Sequence, residues 1–228
     1  MLAFVYTAVF VVGLWLPFVW QHRALHGGVN GAQAAVSLFN AINAMICLWE
    51  MALYFHRHKV KATYQALKRK WGRSLPSPMC LFEHVSLRDA LTLEHWHVIW
   101  ATYCILDPSY ADCKSFGFWI DTGNGLSMLG PTLLLSAGMT FDVSGLLSPR
   151  AFGLLGFVAN YQMLYGTVIY FSSYFHNERF KGSSAGGVAV VVVSNIIWVV
   201  FPAVAMAACW RVVRDGTLDV FHAPDWVV

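Results

Sequence analysis

The stretch GGVAVVVVSNIIWVVFPAVAMAACW, residues 186–210, holds no charged side chain. A helix needs about 20 mostly apolar residues to cross a bilayer. A run this long and this apolar leaves few alternatives to a membrane span, because every backbone polar group at that depth must be satisfied within the helix itself. Composition agrees. Only 12% of the 228 residues are charged and 57% are hydrophobic, against about 25% charged in soluble domains. A chain this long could bury a large core, so size alone does not explain the shortage of charge. A lipid-facing exterior does.

Five segments read as spans: Leu2 to Trp20, Gln33 to Phe55, Phe116 to Met139, Phe152 to Phe175 and Val188 to Trp210. The first follows Met1 directly, without a basic n-region or a small-residue cleavage site, and so reads as a retained span rather than a signal peptide. The third is the weakest, because it contains Asp121, Asn124 and several glycines. Pro202 predicts a bend late in the fifth. The expected architecture is all-α: one polytopic membrane domain, residues 1–228, of about five helices around an intramembrane pocket. There is no internal repeat and no domain boundary.

The polar segment His56 to Ser115 opens with Arg57, Lys59, Lys61, Lys68, Arg69, Lys70 and Arg73. The positive-inside rule puts it on the cytoplasmic face, or its equivalent in an organelle, together with the N-terminus. This basic run reads first as a solvated juxtamembrane helix and second as a surface for anionic lipid headgroups. A net charge of +3 excludes nucleic acid as an expected partner. The five scattered cysteines show neither a disulfide framework nor zinc spacing. His95 and His97 beside Glu94 make a poor metal site, and SYFHNERF, with His176 and Glu178, reads as a loop edge. No phosphate loop, GxSxG or HExxH motif is present.

Polar residues inside the spans carry the functional information. Asn43 and Glu50 share a face of the second span, Asp121 and Asn124 a face of the third, and Asn195 and Trp198 a face of the fifth. The fourth offers Asn160, Gln162, Tyr165, Thr167 and Tyr170. Asn and Ser in such helices more often join helices than bind ligands, and a Trp there is more often packing. Glu50 and Asp121 are harder to dismiss. No Lys or Arg lies within any span to neutralise them. Either they carry protons, or something cationic visits.

Several ordered blocks add a resemblance. WATYCILDPSY contains Trp100, Tyr103, Asp107 and Tyr110 in the spacing W-x2-Y-x3-D-x2-Y, and NIIWVVFP contains Asn195, Trp198 and Pro202 in the spacing N-x2-W-x3-P. YGTVIYF supplies Tyr165, Gly166, Tyr170 and Phe171, and Gly130-Pro131 closes the third span. Taken in this order, they resemble the emopamil-binding-protein (EXPERA-domain) family of sterol Δ8–Δ7 isomerases and sigma-2-receptor-type proteins. The likeness covers Ala34 to Arg214, with an insertion around Leu67 to Glu94.

The resemblance implies an intramembrane isomerase of a sterol or related isoprenoid, working by proton transfer through a carbocation and needing no cofactor or metal. Glu50 falls at the family's acid position as general acid/base. Asp121 falls near the second acid, whose ungapped match is Thr122, and would stabilise the cation. Trp198 would be its cation–π platform. Asn43, Asn195, Tyr165, Tyr170, Tyr103 and Asp107 would line the substrate. Two positions depart from the pattern: Ile46 stands where the family has a His, and Thr167 where it has an Asp. Asn43 with a water, or Tyr165, would have to replace the His.

Two alternatives remain open. One is a non-catalytic binder of sterol or amphiphilic amine, and the other an accessory subunit of a large membrane complex. Expected partners are a lipophilic small molecule and membrane lipids, with a homodimer or larger assembly open. The expected location is the endoplasmic reticulum membrane, with a chloroplast or mitochondrial membrane as the alternative.

Overall fold

The computed structural model describes residues 1–223, and within them the chain is all-α. The helices are α1 (Ala3–His26), α2 (Gly31–Phe55), α3 (Arg57–Trp71), α4 (Leu87–Ala90), α5 (His97–Leu106), α6 (Phe116–Ser127), α7 (Leu129–Gly138), α8 (Pro149–His176), α9 (Ala185–Asp215) and α10 (Asp219–His222). Single 3₁₀ turns occupy Cys80–Phe82 and Pro108–Asp112. Among the described residues no strand forms, and the only β pairing is an isolated bridge between Leu2 and His84.

Four helices, α1, α2, α8 and α9, are long and apolar enough to cross a membrane, and the chain is an integral membrane protein. The expected third span, Phe116 to Met139, does not form one continuous helix. It breaks at Met128 into α6 and α7. Pro131 supplies the reason: it has no N–H to offer the Ser127 carbonyl, and its ring crowds that carbonyl.

Local chemistry sets the other boundaries. Asn30 Oδ1 accepts the Gln33 N–H at 2.8 Å and caps α2. Ser115 Oγ accepts from Phe118 N at 3.1 Å at the head of α6, and Ser184 Oγ from Gly187 N at 3.1 Å at the head of α9. Pro149 takes the first position of α8, where its missing N–H costs nothing. Gly216, at φ +73°, ends α9. Asp107 precedes Pro108 and adopts φ −129°, ψ 90°, the extended conformation that a following proline enforces.

The chain divides into two compact units. The first comprises Met1–Ala8, Ile46–Leu126 and Gly166–Ile196. Its core joins Leu53, Val60, Tyr64, Trp100, Ile105, Tyr110, Phe118 and Tyr174. The polar segment is not a loop: Val60 and Tyr64 of α3 share this core with the buried apolar face of α5. At ten residues, α5 is too short to span. The N-terminus sits on the same segment, with Ala3 N donating to Glu83 O at 2.9 Å.

The second unit comprises Val9–Met45, Ser127–Tyr165 and the chain from Ile197 onward. An amide–hydroxyl ladder ties α2 to α7 and the turn just after it: Gln33 Nε2 donates to Thr140 Oγ1 at 3.1 Å, Asn40 Nδ2 to Ser136 Oγ at 3.1 Å, and Asn43 Nδ2 to Thr132 Oγ1 at 2.9 Å. One partner number rises as the other falls, so the two helices run antiparallel.

Burial separates the helices by role. Most of α2 is enclosed. On α1, Phe4, Val9, Phe10, Val12, Leu16 and Trp20 are exposed, which suits a helix facing lipid.

Candidate functional site

The first unit gathers most of the acidic and phenolic groups singled out above. On α6, Gly117, Asp121 and Gly125 recur every fourth residue and form one stripe. A Cβ at Gly125 would lie 2.6 Å from Glu50 Cβ and 3.0 Å from the Cys47 carbonyl, so α6 meets the α2 backbone closely at Glu50. A Cβ at Gly117 would lie 2.7 Å from the Tyr110 hydroxyl. Its absence lets that hydroxyl pass along α6 and donate to Asp121 Oδ2 at 2.6 Å.

Glu50 is only 5% exposed. Its Oε2 has no hydrogen-bond partner among the described residues. Neither Glu50 nor Asp121 forms an ion pair among those residues. Thr122, the alternative match for the second acid, turns its hydroxyl back to Phe118 O at 2.9 Å. Ile46 lies one turn before Glu50 on α2 and is half-buried.

A second chain of bonds runs beside this one. Asn195 Nδ2 donates to the Tyr103 hydroxyl at 3.0 Å. Tyr103 and Tyr170 hydroxyls lie 2.6 Å apart, and Tyr170 donates to Asp107 Oδ2 at 3.3 Å. A carboxylate only accepts, so Tyr103 must be the donor to Tyr170. Asp107 is fully buried, and Arg179 Nη1 stands 3.6 Å from its Oδ2.

Burial holds the phenols of Tyr103 and Tyr110 far above their ordinary range, and the Asp121 charge adds to the effect on both. Both phenols therefore stay protonated and act as donors. The Tyr103 ring is edge-on to Tyr110 at 5.3 Å, and Trp100 stacks on Tyr110 at 5.3 Å. Trp100 itself is a strut: its Nε1 donates to Trp49 O at 2.6 Å, joining α5 to α2.

The remaining expected site residues belong to the second unit. There Trp198 Nε1 donates to Asn43 Oδ1 at 2.9 Å, and its ring is edge-on to Phe39 at 6.0 Å. Tyr165 is 51% exposed and stacks on Tyr161 at 5.8 Å.

Three contributors escaped the sequence reading as site residues: Tyr110, Arg179 and the glycine pair of α6. Tyr110 closes the W-x2-Y-x3-D-x2-Y block. The glycines flank Asp121 four residues to either side and so share its helix face. Comparison with protein-family models, with curated proteins and with solved structures gives no match.

Proposed function

We propose that this chain is an emopamil-binding-protein-like intramembrane isomerase acting on a sterol or related isoprenoid. The observation that carries this reading is Glu50. It is a buried carboxyl on the most enclosed span, beside an α6 stripe that presents a second acid, with no cation paired to either among the described residues. Such a pair suits a positively charged guest or intermediate.

Moving a ring double bond needs a proton added at one carbon and a proton removed from another. In the proposed cycle the Glu50 carboxyl protonates the alkene and leaves a tertiary carbocation. The Asp121 carboxylate, oriented by Tyr110, stabilises that cation. The carboxylate formed at Glu50 then removes a proton from the neighbouring carbon, which restores the acid and completes the shift. Tyr103, Tyr170, Asp107 and Asn195 hold the surrounding wall in place. The endoplasmic reticulum membrane is the proposed location, with an organellar membrane as the alternative.

Ile46 and Thr167 favour a second reading, a binder of sterol or amphiphilic amine without turnover. One experiment separates the two. The chain is expressed in yeast lacking the sterol Δ8–Δ7 isomerase, and solvent deuterium is traced into the sterol product. Growth with deuterium incorporation, both lost in Glu50→Gln, supports the isomerase. No incorporation, with a cationic amphiphile still bound in a Glu50-dependent way, supports the binder. If Glu50→Gln and Asp121→Asn both bind the amphiphile like wild type, the acid pair is not the site and both readings fail.

A further inference from the structure

We propose that the cluster of guanidinium and hydroxyl groups around Arg73 and Arg179 is a binding site for a phosphate group. It lies in the first unit, where the residues after α3, the end of α5, the Pro108–Asp112 turn and the α8–α9 connection come together.

Arg73 Nη2 faces three acceptors: Arg179 O at 2.6 Å, Ser183 Oγ at 2.9 Å and Leu106 O at 3.2 Å. Two of these are carbonyls at or just beyond helix C-termini, where a cation is favoured. A purely structural role, Arg73 tying α5 to the α8–α9 connection, would account for this nitrogen and no more. Four further buried polar atoms lack a hydrogen-bond partner among the described residues: Arg73 Nε, Arg179 Nη1, Ser109 Oγ and the Tyr174 hydroxyl. All four carry protons to donate.

These groups surround one fully buried carboxylate, Asp107, which is already engaged. Its Oδ1 accepts from Ser109 N at 3.1 Å and its Oδ2 from Tyr170 at 3.3 Å. Arg179 Nη1, at 3.6 Å, is too far for a hydrogen bond. Tyr174 is fully buried, and Asp107 and Arg73 are charges close enough to act on its hydroxyl. Two guanidiniums thus share one acid, and Arg73 forms no ion pair among the described residues. The neighbouring Glu178 is paired with Lys181 on the surface.

The cluster is short of acceptors and carries one excess positive charge. A phosphate group offers acceptors and negative charge in the geometry that guanidinium forks match. The start of α9, a 31-residue helix, lies two residues beyond Ser183 and adds the positive end of its dipole. The group could belong to a lipid headgroup or be free phosphate. The exposed Lys68, Arg69 and Lys70 lead directly to Arg73 and would concentrate either one.

The test uses the full chain. In one arm, purified protein in detergent is titrated with inorganic phosphate and its melting temperature followed. In the other, protein in phosphatidylcholine nanodiscs is compared across increasing phosphatidic acid content. A saturable rise is expected in at least one arm, about tenfold weaker in Tyr174→Phe, a loss of one hydrogen bond, and absent in Arg73→Gln. Arg73→Lys, which keeps the charge but not the fork, controls for folding and should bind weakly. Saturation with phosphatidic acid alone assigns a headgroup, and saturation in both arms assigns the phosphate itself. The proposal is overturned if neither arm saturates, or if Tyr174→Phe and Arg73→Lys both bind like wild type. None of these readouts depends on Glu50 or on isomerase activity.

Discussion

The Tyr110 hydroxyl lies 2.6 Å from Asp121 Oδ2 and donates to it. A hydrogen bond to a charged acceptor contributes about 1.5–3 kcal/mol, so Tyr110→Phe should destabilise the protein by roughly that amount. Asp121→Asn keeps an acceptor for the phenol and removes the charge. It should leave the melting temperature near wild type while weakening binding of a cationic amphiphile. Paired thermal melts and amine-binding curves test this. Equal loss of stability in both variants would make the contact purely structural.

The α6 stripe makes a steric prediction. Gly125→Ala places a Cβ 2.6 Å from Glu50 Cβ, and Gly117→Ala places one 2.7 Å from the Tyr110 hydroxyl. Overpacking of this kind costs about 1–3 kcal/mol. Gly123 has nothing within 4 Å of its would-be Cβ. There alanine should be neutral, or stabilising by the ~0.5–1 kcal/mol that glycine forfeits in a helix. Melting temperatures of the three variants in one detergent decide the matter.

Much of this was legible in the sequence, because span length and hydropathy are properties of single segments. Four long helices match the expected runs within a few residues, and Pro131 was visible in the chain. What a single segment cannot reveal is which neighbour it meets. α5 reads as an isolated apolar stretch in a polar segment, yet Trp100 and Ile105 are used against α2 and α3. Arg179 reads as a loop edge, and only tertiary contact brings it to Asp107. Helical face places Asn43 with Glu50 and Trp198 with Asn195. In the structure the Trp198 indole bonds to Asn43, and Asn43 bonds on to Thr132, the helix-joining role that asparagine commonly has in membranes.

That role can be measured. Asn43 bonds Thr132 on α7 and accepts from Trp198 on α9. Bonds between membrane helices average about 0.6 kcal/mol, with a maximum near 1.7. A double-mutant cycle of Asn43→Ala and Trp198→Phe should therefore give a coupling of about 0.6–1.7 kcal/mol. A coupling indistinguishable from zero would mean that the indole N–H and the amide do not stabilise each other.

Beyond the spans, His222 on α10 provides a pH-dependent fastening of the chain's end. Its Nε2 lies 3.2 Å from the Gly138 carbonyl, and its ring stacks on His26 at 4.3 Å, with His22 at 6.5 Å. Burial pushes its pKa below the ordinary value, chiefly by desolvation and then by the neighbouring His26; His22 lowers it further, while the Gly138 carbonyl and Asp142 oppose the shift. A histidine depressed in the folded state binds fewer protons there than when unfolded, so stability rises with pH. The contribution is complete above the unfolded value of about 6.5 and is lost as pH falls from there through the depressed folded value. The protection of the Asp219–His222 amides, taken as the intrinsic exchange rate divided by the observed rate at each pH, should thus fall from pH 7.5 to pH 5.5, roughly spanning that value. The change should shrink in His222→Gln, which cannot take up the proton. Protection that is flat across this interval in the wild type, or that falls equally steeply in the variant, would show that His222 does not govern how firmly α10 is held.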